Sequence, residues 1–159
     1  MLDIKIISQS KIFTGLTAAV VLFAIFALIY SLETASRSAW LIIGGQKIVV
    51  ELPITSKDFA KGLGGRKFLA QNRGMLFVYD RYLVPSFWMK DMNFPLDIIW
   101  LKDDLVVGWE QNAPAPLAGE PLTIYQPKTF INRVLEVKAG SVELWELKIG
   151  DRIESHLTK

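Results

Sequence analysis

Apolar positions along this chain follow two rhythms. Ile12 to Leu32 (IFTGLTAAVVLFAIFALIYSL) is a run of 21 residues without a charge, bracketed by Lys11 and Glu33. Beyond Trp40 the apolar residues instead come in short β-branched and aromatic runs, cut by glycine, proline and aspartate. As a helix, the first run would reach about 31 Å, against a bilayer hydrocarbon core of about 30 Å. It predicts one transmembrane helix over 12–32, after an N-terminal stretch 1–11 and before a small, polar linker 33–39 (ETASRSA), with Tyr30 or Trp40 placed for an interface. The alternative is a cleaved signal peptide, whose apolar core is only about 7–15 residues. The best cleavage site, Ser36-Arg37-Ser38, is a weak one.

The second rhythm predicts a β domain over 40–159. Trp40–Ile43 and Lys47–Leu52 flank Gly44-Gly45, a hairpin signal. Thr55-Ser56-Lys57-Asp58 fits a capping pattern and predicts a short helix to about Lys61, ended by Gly62, Gly64 and Gly65. Strands are expected over Met75–Tyr79, Ser86–Lys90, Leu96–Leu101, Leu105–Glu110, Leu122–Tyr125 and Ile131–Val137. Asn112 to Pro121 is a proline-rich loop that cannot join a sheet centre. Ser141 is expected to cap one helical turn before a last strand near Arg152–Ser155. The fold class is therefore mainly β: a sandwich or partly open barrel with one or two short helices, preceded by the single N-terminal transmembrane helix.

Charge narrows the partners. The chain of 159 residues carries 18 basic and 16 acidic side chains. Setting aside Lys5, Lys11, Arg37, Asp3 and Glu33 leaves 15 and 14 beyond residue 39. A domain so balanced lacks the footprint of a nucleic-acid binder. Lys5 and Lys11 precede the apolar run, so the positive-inside tendency places the C-terminal domain outside the cytoplasmic membrane, with secretion after signal cleavage as the alternative.

Residue types narrow the chemistry. There is no cysteine, and the one histidine, His156, lies near the C-terminus. Histidine-based nucleophilic catalysis and zinc binding lack material, and no cofactor or metal is expected. A calcium site from Asp103, Asp104, Asp91 and Asn93 lacks the spacing of a calcium loop. Two charges interrupt apolar strands. In LDIIWL, alternation puts Leu96, Ile98 and Trp100 on one face and Asp97, Ile99 and Leu101 on the other. A buried, unpaired carboxylate costs several kcal/mol, so Asp97 must find backbone donors or a cation such as Arg66, Arg73 or Lys90. Arg133 shares a strand parity with Ile131, Leu135 and Val137, and Glu136 points the other way.

Six segments then match a known pattern in order: GLGGR (Gly62–Arg66), RGMLFVY (Arg73–Tyr79), SFWMKDM (Ser86–Met92), FPLDIIWL (Phe94–Leu101), VLEVKAG (Val134–Gly140) and LKIGDRI (Leu147–Ile153). They resemble the DUF192 family of bacterial and archaeal proteins. The resemblance implies a mainly β, sandwich-like fold, often behind an export or membrane segment, and no established activity. Arg66, Met75, Trp88, Lys90, Asp97 and Glu136 agree with the family pattern and are the candidate ligand-binding residues. Two places depart from it: Gly64 stands where the family usually has methionine, and Asp91-Met92 where it has Asn-Thr. The function expected is a membrane-tethered, extracytoplasmic, non-catalytic β module that binds a small anionic or amphipathic ligand or an envelope protein. The alternative is an acid–base enzyme built from Asp97, Glu136, Lys90 and Arg66.

Overall fold

The computed structural model describes residues 20–26 and 37–156. The chain divides between Ser36 and Arg37 into two units. In the first, residues 20–26 form helix α1, with exposed side chains such as Phe23 and Phe26. No helix among the described residues is long and apolar enough to cross a membrane. The rest of the expected 12–32 span, residues 1–11 and most of the expected linker lie outside the described residues. Residues 37–39 of that linker are not linker: strand β1 (Arg37–Ile43) already begins there.

The second unit is mainly β with two short helices, as expected; in place of the expected sandwich or partly open barrel it is built on one mixed seven-stranded sheet that does not close into a barrel. The strands are β1, β2 (Gln46–Leu52), β3 (Arg73–Leu83), β5 (Leu96–Lys102), β6 (Leu105–Ala113), β8 (Ile131–Lys138) and β9 (Glu154–His156), in the order β6-β5-β8-β3-β2-β1-β9. The other two strands, β4 (Phe87–Trp88) and β7 (Ile124–Tyr125), form a separate two-stranded ribbon. The central strands explain the single sheet. All six residues from Leu96 to Leu101 are buried, as are Val134 to Val137, so these strands are covered on both sides. Ile99, Leu101, Leu135, Val137, Leu41 and Val50 fill one face beneath helix α3 (Ser141–Leu144), Trp145 and Leu147. Ile98, Trp100, Val134, Met75 and Phe77 fill the other, under Leu63, Phe87, Met89 and Met92.

Local chemistry sets the connections. Gly44 and Gly45 turn β1 into β2 with φ of 54° and 72°, the left-handed pair that a two-residue hairpin needs. β2 and β3 pair in parallel, which a hairpin cannot do, so the chain crosses over one face between them. Helix α2 (Ser56–Lys61) lies in that crossover. Its capping box is complete: the Asp58 amide donates to Thr55 Oγ1 at 3.2 Å, and the Thr55 amide to Asp58 Oδ2 at 2.9 Å. These bonds hold the Asp58 carboxyl below its usual range. Ser141 does not cap α3 as expected. Its hydroxyl donates to the Lys138 carbonyl at 2.6 Å, and the Val142 amide is taken by Asp97.

Candidate functional site

Register places the charged residues. Glu51, Met75, Glu136 and Ile98 are consecutive partners across β2, β3, β8 and β5, and form one transverse row. Val50, Gly74, Val137 and Asp97 form the next row, on the opposite face. A strand register thus separates the two buried acids.

Asp97 is fully buried and already satisfied. Its carboxylate accepts from the Asn112 amide at 2.8 Å and the Val142 amide at 2.9 Å. Its partners are backbone donors, not the cations Arg66, Arg73 or Lys90. It pins the β6 end and the start of α3 to the sheet, a structural duty.

Glu136 is buried without such help. Its Oε2 has no hydrogen-bond partner among the described residues, and it makes no ion pair with any of them. Arg66, whose positive field reaches Glu136, is engaged elsewhere: its guanidinium forks onto Glu51 at 2.6 and 2.7 Å. Desolvation therefore pushes the Glu136 carboxyl up to about 8, against the opposing field of Arg66. It is mostly protonated at neutral pH.

The carboxyl forms part of the floor of a cleft of about 330 Å³ between α2, the sheet and the β4 ribbon. Aromatic side chains make the walls: Phe59 from α2, Phe77 and Tyr79 from β3, and Phe87 and Trp88 from β4. They support each other edge to face, with Phe59 to Phe77 at 5.7 Å and Phe77 to Phe87 at 5.0 Å between centroids. The Tyr79 hydroxyl is pushed up to about 12, by burial first and by the neighbouring Glu136 second. Lys61 and Lys90 also line the cleft and are solvent-exposed, so its mouth is basic. Gly62 lets the chain pass close over the floor: it adopts φ of 51°, and a Cβ there would lie 3.4 Å from Glu136 Oε2.

Of the six residues expected to bind a ligand, the cleft brings together Trp88, Lys90 and Glu136. Met75 is buried beside Glu136 in the row without lining the cleft, Arg66 acts on it through its field, and Asp97 is on the far side of the sheet. The sequence reading did not single out Phe59, Tyr79 or Lys61. The parallel β2–β3 pairing that carries α2 over Glu136 leaves no local signature. The calcium candidates do not converge. Asp103 accepts from Tyr82 and Asn132, Asp104 pairs with Arg133 at 2.6 Å, and Asn93 donates to the Arg66 carbonyl.

The family profile described as "Uncharacterized ACR, COG1430" (DUF192) matches residues 39–155, covering the sheet, the cleft and both short helices of this unit. The chain belongs to the DUF192 family. Two solved structures resemble this DUF192 chain. One, from Sinorhizobium meliloti 1021, is provisionally described as a transcription regulator; it is 28% identical, with a TM-score of 0.66, over 76% of this chain and 94% of its own. The other, a protein of unknown function from Novosphingobium aromaticivorans DSM 12444, is 30% identical, with a TM-score of 0.62, over 74% of this chain and 83% of its own. No curated protein matches significantly. At Gly64 a Cβ would stand 2.9 Å from the Lys61 carbonyl oxygen, so this backbone path has no room for a side chain.

Proposed function

We propose that this DUF192 domain is a non-catalytic binding module of the cell envelope, tethered through residues 12–32 with its β domain outside the cytoplasmic membrane. Its aromatic cleft receives a small amphipathic ligand. The observation that carries the reading is the unpartnered, buried carboxyl of Glu136 on the floor of that cleft. Burying a polar group without a hydrogen bond costs on the order of 1–3 kcal/mol, and a ligand offering the missing partner recovers that cost. The cleft volume lies at the small end of ligand sites, about 300–1,000 Å³.

An acid–base enzyme fits less well. Asp97 and Glu136 lie on opposite faces of the sheet, and among the described residues Glu136 Oε2 has no hydrogen-bond partner with which to form a nucleophile–base pair. The description of the Sinorhizobium relative raises nucleic acid as a partner, but the near-equal numbers of basic and acidic side chains beyond residue 39, 15 and 14, do not favour a phosphate backbone.

The test is a thermal-shift screen of small amphiphiles on the full-length protein and on an Ala60→Trp variant, which fills the cleft from exposed α2. Compounds that raise the melting temperature of the first and not the second support the reading. A folded protein that no compound stabilises, or that compounds stabilise equally in both forms, contradicts it. Alkaline extraction of membranes tests the tether: full-length protein should stay in the pellet, and release at full-length mass would contradict it.

A further inference from the structure

The floor and the mouth of the cleft differ in charge, and together they define a ligand class. On the floor, the Glu136 carboxyl is buried among aromatic rings, with an oxygen that meets no donor. A protonated carboxyl there is a hydrogen-bond donor that no group among the described residues accepts from. At the mouth, Lys61 at the end of α2 and Lys90 after β4 are solvated cations. The other titratable or charged groups whose fields couple to Glu136 are the Tyr79 hydroxyl on β3 and the Arg66 guanidinium, which is held by Glu51. Each charge in this set other than Glu136 and the Arg66-bound Glu51 is positive.

We propose that the cleft, granted the binding role argued above, takes an amphiphile with an anionic end and a neutral oxygen acceptor on an apolar body. Lys61 and Lys90 hold the anionic end at the mouth, the aromatic walls cover the body, and the carboxyl of Glu136 donates to the acceptor on the floor. The placement is economical in electrostatic terms: the ligand's charge stays in wet, high-dielectric surroundings, and only neutral groups meet in the dry interior. Aromatic faces beside a carboxylate also suit an organic cation. Two lysines at the entrance and the field of Arg66 oppose that class.

Ligand release is coupled to pH. When Glu136 ionises it loses its donor and turns a repelling negative charge toward the acceptor. Affinity is therefore greatest below the carboxyl's midpoint of about 8 and falls as pH rises through it.

Three matched probes test this on the full-length protein: 4-acetylbenzoate, 4-ethylbenzoate, which lacks the acceptor, and (4-acetylphenyl)trimethylammonium, which reverses the charge. Binding is read from the Trp88 indole NMR signal. Acetylbenzoate is expected to bind best of the three at about pH 6.5 and to weaken about tenfold by about pH 9. Glu136→Gln, which keeps a donor at every pH, retains acetylbenzoate binding and loses the pH dependence. A Lys61→Ala, Lys90→Ala double variant weakens it. Preference for the ammonium probe, or loss of acetylbenzoate binding in Glu136→Gln, overturns the ligand class while leaving the cleft a binding site. Absence of any acetylbenzoate-induced change at Trp88, or binding that ignores pH, also overturns it; the Ala60→Trp screen separately decides whether the cleft binds anything.

Discussion

Asp97 and Glu136 lie on neighbouring strands one register step apart, Asp97 opposite Val137 and Ile98 opposite Glu136. Period-two geometry therefore sends them to opposite faces of one sheet. One meets two backbone amides and the other meets none. The same side-chain chemistry becomes a structural clamp on one face and a waiting donor on the other.

The clamp has a measurable cost of removal. Asp97→Ala leaves the Asn112 and Val142 amides without an acceptor in a buried setting. Each such loss costs about 1–3 kcal/mol, so the variant should be destabilised by about 3 kcal/mol or more in urea unfolding. A change below about 1 kcal/mol would show that water or a shifted backbone replaces the carboxylate.

Glu136 makes stability depend on pH in the direction opposite to the usual acid. Its folded midpoint, about 8, lies above the ordinary value of 4.5. Between those values the folded chain binds the extra proton, so unfolding becomes easier as pH rises. The contribution is fully present below about 4.5 and lost by about 8. Glu136→Gln should remove that slope and be the more stable form at neutral pH, by an amount on the order of 3 kcal/mol in paired unfolding curves. Parallel curves for the two proteins from pH 5 to pH 9 would contradict it.

Arg66 should influence that midpoint without touching Glu136. Its field lowers the Glu136 midpoint while its fork binds Glu51. Arg66→Ala is expected to raise the Glu136 midpoint further, as read by carboxyl carbon NMR. Arg66→Lys should keep most of the field and lose the fork. An unchanged midpoint in Arg66→Ala would show that the two sites are not coupled.

The hairpin turn offers a matched pair of glycines. Both have positive φ, but a Cβ on Gly44 would stand 2.7 Å from the Trp145 carbonyl oxygen, and one on Gly45 meets open space. Gly45→Ala should cost about 1 kcal/mol from conformation alone, and Gly44→Ala clearly more. Equal losses in thermal unfolding would show that Trp145 moves aside freely.

Much of this domain was legible residue by residue. The alternation in LDIIWL assigns Ile98 and Trp100 to one core and Ile99 and Leu101 to the other, as found. Gly44-Gly45 and Thr55 with Asp58 mark a turn and a helix start because their chemistry is local. The arrangement into one sheet was not legible, because it depends on β3 pairing in parallel with β2 and antiparallel with β8, and no short segment encodes that. The site shows the same divide. Glu136 stands out as an acid in VLEVK, but its lack of a partner follows only from Arg66 binding Glu51 and from α2 bringing Phe59 over it. Asp97, the more conspicuous acid in sequence, proved to be the satisfied one.

The most direct measurement is the titration of the Glu136 side-chain carboxyl by carbon NMR on the full-length protein, with Glu136→Gln to assign the signal. A midpoint near 8, shifting on addition of 4-acetylbenzoate, is the expected result. A midpoint in the ordinary carboxylate range near 4.5 would mean that water or a cation already serves this acid, and the cleft would have no free donor to offer.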